Sequence, residues 1–137
     1  MTAQTRSFNV DQFIAASPEV VWEAISTPEG IASWWVPGNI EAIVGHEFLL
    51  EMPGWGNAAC TVLEVEQPRL LVYTFTDWTL RWSLVPEGNG TRLLLEHSGF
   101  DLDNPQHRFA FDNMGPGWRD EVLPRLANNI ESNANSH

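Results

Sequence analysis

Positive charge and sulfur are both scarce in this chain, and each scarcity closes off a class of function. Seven Lys and Arg stand against 18 Asp and Glu, for a net charge of −11 over 137 residues. So acidic a protein repels phosphate, which makes nucleic acid and anionic membrane surfaces poor partners. Cys60 is the single cysteine, so no intrachain disulfide can form. The four histidines (His46, His97, His107 and His137) have no metal-site spacing, and Cys60 adds none, so no metal is expected. No cofactor is expected either: Gly54-Trp55-Gly56 lacks the sequel of a phosphate-binding loop. Long apolar runs are missing. Leu70-Leu71-Val72-Tyr73 is among the longest, against the roughly 20 residues that a membrane span needs. Met1 to Ser7 contains no apolar signal core, so a cytoplasmic location is the expectation. No repeat and no linker interrupts the chain. It reads as one domain, with a core over 8–131 and a polar tail over 132–137.

Tryptophan is what the chain has in excess. Seven Trp is more than core filling alone suggests, and a single Tyr accompanies them. An indole is large and stiff and carries one N–H, which suits the wall of an apolar pocket with a polar spot.

The order of local signals is strand, helices, strands, helix. Phe8 to Ile14 reads as a strand. Ser17-Pro18-Glu19 and Thr27-Pro28-Glu29 are the same device twice: an N-cap oxygen, a proline at the first helical position, and an acid at the positive end of the dipole. They predict two short helices, the first burying Val20, Val21, Ala24 and Ile25, the second running toward Trp34 and stopped by Pro37-Gly38. Strands follow over 43–51, 58–66, 70–76, 79–85 and 91–98, the last two joined by Pro86 to Gly90. Such short connections demand antiparallel neighbours. Alternation puts Leu80, Trp82 and Leu84 on one face, and Leu93, Leu95 and His97 on one face of the next strand. That apolar face needs a cover, and the segment Gly117 to Glu131 supplies it, with Trp118, Val122, Leu123, Leu126 and Ile130 near helical spacing. Pro124 inside that helix should bend it.

This α+β order resembles the helix-grip fold of the START-like (SRPBCC) superfamily, a curved antiparallel sheet wrapped around a long C-terminal helix. The wording is closer still to homologues of the activator of heat-shock-protein-90 ATPase. The resemblance rests on Ala16-Ser17-Pro18-Glu19-Val20-Val21-Trp22, on Thr27-Pro28-Glu29 leading to Trp34-Trp35, and on Val62-Leu63-Glu64-Val65 before Pro68-Arg69-Leu70. Gly90-Thr91-Arg92-Leu93, His97-Ser98-Gly99-Phe100 and Gly117-Trp118 complete it, in the same order. The co-chaperone carries an additional N-terminal domain, which this chain is expected to lack. The resemblance implies a cavity between sheet and helix for a small apolar or aromatic molecule. Family members bind, transport, cyclise or hydrolyse such molecules, so the fold alone does not choose.

Aromatics on inward faces make Trp34, Trp35, Phe48, Leu71, Tyr73, Phe75, Trp82, Leu95, His97 and Trp118 the candidate ligand-binding residues. His97 has two readings. It could orient a ligand carbonyl or exchange a proton near neutral pH. It could instead complete the core, bonded to a backbone carbonyl or a carboxylate, and the absence of a second evident catalytic group favours that reading. Ser98 alternates to the opposite face, which argues against a nucleophile–base pair with His97. No catalytic residue is assigned. Binding of a small hydrophobic ligand is the first expectation. A chaperone-activator-like interaction module and a cyclase- or hydrolase-type enzyme are the alternatives. A chaperone and a second copy of the chain remain open as protein partners.

Overall fold

Both proline-led helix starts form as the sequence dictates. The structure, a computed structural model, describes residues 5–52 and 56–135. The Pro53-Gly54 turn, Trp55 and His137 therefore lie outside the described residues. Ser17 Oγ accepts from the Val20 N–H at 3.4 Å and opens α1 (Pro18–Ser26), while Thr27 Oγ1 accepts from the Gly30 N–H at 3.0 Å and opens α2 (Pro28–Trp34). The two cross closely: a Cβ on Gly30 would meet the Glu23 carbonyl oxygen at 2.2 Å, so only glycine fits there. Val20 departs from the expectation, being 48% exposed, and Trp22 takes its place in the core. The buried stripe centres on Val21 and Ile25, and at about 100° per residue Val20 falls outside it.

Six antiparallel strands make one sheet, β1 (Thr5–Ile14), β2 (Glu47–Met52), β3 (Gly56–Glu66), β4 (Leu70–Phe75), β5 (Trp78–Glu87) and β6 (Gly90–Asp101), in the order β1-β6-β5-β4-β3-β2. β2 starts four residues later than expected. Gly45 adopts a φ of +89°, and the His46 N–H bonds back to the Ile43 carbonyl at 3.0 Å, so Ile43 and Val44 sit exposed in a turn. The β5–β6 connection is also tighter than expected. Pro86 pairs with Thr91 and Glu87 with Gly90, leaving Gly88-Asn89 as the turn, with Gly88 at φ +58°.

A bulge in β6 decides which side chains near its end face inward. Phe8 faces His97 and Ser7 faces Ser98, but Arg6 faces Phe100, so Gly99 is the extra residue, at φ +95°. The bulge resets the alternation. His97 and Phe100, three apart in sequence, both point inward, with ring centroids 4.6 Å apart.

The β4–β5 turn holds a backbone cost. Thr76 sits at φ +57°, a region that β-branched residues avoid. Thr76→Asn should relieve about 1 kcal/mol and raise the urea midpoint at an unchanged slope. An unchanged or lower midpoint would show that the Thr76 side chain offsets its own strain.

The concave face is covered by a long C-terminal helical stretch, as expected, but it begins twelve residues before Gly117. It comprises α3 (Pro105–Gly117), a π-helical turn (Trp118–Val122) and α4 (Leu123–Asn135). Residues 105–116, for which the sequence reading gave no element, are helical, and α4 reaches four residues into the expected polar tail. Asn104-Pro105 is a third copy of the cap-plus-proline device, with Asn104 Oδ1 accepting from the Gln106 N–H at 2.9 Å. The anticipated bend at Pro124 takes the form of the π turn. In a regular helix the Pro124 ring would meet the carbonyl of Asp120, and the widened turn, closed by the Leu123 N–H to Trp118 carbonyl bond, precedes that clash. α3 packs on β1 and β6, and α4 on β1, α1 and α2. Asn129 Nδ2 donates to Ser33 Oγ at 2.8 Å, and the Ala15 N–H donates to Glu131 Oε2 at 3.0 Å, fixing α4 at both sides. No helix among the described residues is long and apolar enough to cross a membrane.

Candidate functional site

Five aromatic rings connect α2, the sheet and the long helix. Trp34 and Trp35 stack at 5.7 Å, Trp35 meets Trp118 edge-on at 4.9 Å and Phe75 at 5.6 Å, and Trp82 contacts both Trp34 (5.9 Å) and Trp118 (5.6 Å). Beside three of them, Trp35, Phe75 and Trp118, opens a pocket of about 250 Å³. Its walls are Trp35 from the end of α2, Met52 from the end of β2, Phe75 from the end of β4, Met114 from α3, and Trp118 and Val122 from the π turn; Asn113 and Gly117 complete the lining. The lining is almost wholly apolar, so the pocket itself offers shape and burial more than polar recognition.

The structure brings three of the ten candidate residues, Trp35, Phe75 and Trp118, to this pocket. The other seven are core side chains around it. Trp34 is buried, its Nε1–H donating to the Ala24 carbonyl at 2.7 Å. Phe48 packs edge-on against Tyr73 at 5.2 Å. Leu71, Trp82 and Leu95 are fully covered. The Tyr73 hydroxyl does not reach solvent at the sheet edge. It accepts from Trp82 Nε1–H at 3.1 Å, and burial pushes its pKa well above the ordinary tyrosine range.

His97 is inward, as alternation requires, and has no exposure. Its partner is neither a backbone carbonyl nor a carboxylate: the Nε1–H of Trp118 donates to Nδ1 at 3.2 Å. The other aromatic rings against it are Phe8, Phe75, Trp78 and Phe100. In that apolar setting burial lowers the pKa to about 3, so the imidazole is neutral at physiological pH. Cys60 is likewise inert, its thiol pushed up to about 12 by burial.

One polar arrangement escaped the reading of the sequence. His107, on the first turn of α3, accepts the Asp101 N–H at Nδ1 (3.1 Å) and donates from Nε2 to Asp77 Oδ2 (3.3 Å). Both ring nitrogens are occupied, so the pair clips the start of α3 to the β4–β5 turn and leaves no nitrogen for proton transfer to a substrate. Among the described residues no group of three His, Cys, Asp or Glu side chains is placed to hold a metal.

Met52, Asn113, Met114, Gly117 and Val122 are the lining residues that sequence reasoning missed. Met114, Trp118 and Val122 recur at four-residue spacing, a signal that carries the helical period back through Gly117.

The family model of the Activator of Hsp90 ATPase homolog 1-like protein matches residues 15–131. No curated protein matches the sequence at a significant level. Among solved structures, the protein BH1534 of Bacillus halodurans is 31% identical over 95% of this chain and 99% of its own, with a TM-score of 0.82. MLL2253 of Mesorhizobium loti is 29% identical over 93% of this chain and 95% of its own, with a TM-score of 0.78. The Aha1 dimer from Colwellia psychrerythraea, 18% identical over 92% of this chain and 96% of its own, shares the fold at a TM-score of 0.76. A match that spans both short helices, β2 to β6, the pocket and most of the long helix places the chain in the Activator of Hsp90 ATPase homolog 1-like family.

Proposed function

We propose that this protein binds a small apolar molecule, aromatic or alicyclic, in the pocket between Trp35, Phe75 and Trp118. One observation carries the reading: an apolar pocket of about 250 Å³ stays open where every neighbouring ring is close-packed. It lies at the π turn, a helix irregularity often found at functional sites. Burial of the ligand against indole and thioether surface supplies the driving force, at about 25 cal/mol per Å² of apolar area. Titration with naphthalene-type ligands should quench tryptophan emission saturably and raise Tm, because a ligand of the native state stabilises it by mass action, about 2.7 kcal/mol at a hundredfold excess over Kd. Met114→Trp should fill the pocket and abolish both effects while the protein stays folded. Emission and Tm that stay unchanged across a broad ligand panel would sink the reading.

A second reading, a protein-interaction module with a chaperone or a second copy as partner, has its own support. Seven of the ten candidate side chains are packed in the core, so the cavity is smaller than a large hydrophobic ligand requires. Phe109 also stands 71% exposed on α3. Native mass spectrometry of freshly purified protein separates the two: a carried small molecule speaks for the first, a bound protein released by Phe109→Ala for the second.

A further inference from the structure

Two N–H groups behind the pocket wall are buried without an acceptor. An indole nitrogen only donates, so the Trp118 N–H to His97 Nδ1 bond fixes the imidazole tautomer, and the ring proton sits on Nε2. Nε2 of His97 and Nε1 of Trp78 have no hydrogen-bond partner among the described residues. Their side chains are 0% and 9% exposed, and the two rings lie 5.6 Å apart. A buried donor left unpaired is disfavoured, and Trp34, Trp82 and Trp118 all satisfy theirs. If Trp78 supplied only bulk, a phenyl ring would do so without an orphaned N–H. Phe75 and Trp118 connect this pair of donors to the pocket. Both line it, Phe75 meets the His97 and Trp78 rings at 6.1 Å each, and Trp118 holds His97 in place.

We propose that the ligand of this protein carries a neutral hydrogen-bond acceptor, a carbonyl or ether oxygen on an apolar ring system. Neither N–H lines the open pocket, so the Phe75 ring, which meets the pocket and both rings, swings aside and lets the oxygen reach Nε2–H of His97 and Nε1–H of Trp78. The inference rests on the pocket-binding reading and adds the chemical class of the ligand. Both donors are neutral, and the ionisable ring that adjoins them, His107 at 5.3 Å from Trp78, is already bonded to Asp77, so a carboxylate would be buried uncompensated, while an ammonium, which only donates, would gain nothing from two N–H groups.

The test compares indane with indanone, a matched hydrocarbon and ketone, by calorimetric titration of the whole protein. Hydrophobic burial alone ranks the hydrocarbon tighter, because the ketone is better hydrated, so the sign of the preference is diagnostic. Indanone should bind about tenfold more tightly than indane. In heteronuclear NMR of the wild type, the Trp78 and His97 N–H signals should shift with indanone and stay still with indane. Trp78→Phe should erase the preference, so that indanone binds this variant no more tightly than indane does. If that variant does not fold, the NMR comparison on the wild type decides. Binding of both ligands with indane equal or tighter, and no selective N–H shift, overturns the acceptor site and leaves the pocket reading standing. Binding of neither overturns both.

Discussion

Replacing Trp118 by alanine should cost about 3–5 kcal/mol of stability and lower Tm by on the order of 10 °C. Three losses combine at this residue. The indole is buried, so its removal leaves a cavity between the helix and the sheet. It packs against both Trp35 and Trp82, at 4.9 and 5.6 Å, so the layer of aromatics under the helix keeps only Trp34 as a link between those two rings. It is also the donor to His97 Nδ1, which would be left buried and unpaired. Trp118→Phe separates these contributions. It keeps most of the packing and removes the N–H, so it should cost nearer 1–3 kcal/mol. Urea denaturation of the two variants measures both. Equal costs for the two would mean that the hydrogen bond, not the packing, dominates at this site.

The helix caps and the strand faces were legible because each rests on local chemistry. Ser17-Pro18 and Thr27-Pro28 start helices by satisfying N–H groups within one turn. Leu80, Trp82 and Leu84 face inward because alternation along a strand is geometric. The long helix was read too short because local rules conflict there. Gly115-Pro116-Gly117 signals a break in isolation, yet packing of Ala110, Phe111, Met114 and Trp118 against the sheet carries the helix through it. Tertiary burial outweighs the helix propensity of three residues.

The pocket was legible in its location and not in its membership. Trp35, Phe75 and Trp118 lie where the resemblance and the inward faces pointed. The seven other candidates point inward as well, but alternation assigns a face and says nothing about whether that face meets a void or a neighbour. Distinguishing these takes the path of the covering helix, and that path depends on the π turn, which brings Trp118 and Val122 to the pocket wall. The Gly99 bulge was equally out of reach. His97-Ser98-Gly99-Phe100 reads as a strand end, and only the pairing with Arg6 and Ser7 reveals that His97 and Phe100 share a face.

His97 should make the protein acid-sensitive well above the range in which carboxylates titrate. Its pKa in the fold is lowered by burial to about 3, against about 6.5 in an unfolded chain. Between those values the unfolded state binds a proton that the folded state refuses, so stability rises with pH through this window and is complete above about pH 6.5. Acidification from there to pH 3 should remove about 4–5 kcal/mol through this one residue. Its ring neighbours Phe8, Phe75, Trp78, Phe100 and Trp118 carry no charge that could hold the imidazolium in place. His97→Leu removes the titration. At neutral pH that variant should be less stable by about 1–3 kcal/mol, because Trp118 Nε1–H loses its acceptor. As the pH falls the wild type loses stability and the variant does not, through this group, so the two stability curves should cross near about pH 5. Urea denaturation of both proteins at pH 7, 5 and 4 provides the measurement, with the remaining carboxylates cancelling in the difference. A wild-type-minus-variant difference that stays constant with pH would mean that the imidazole is protonated inside the fold as easily as outside it.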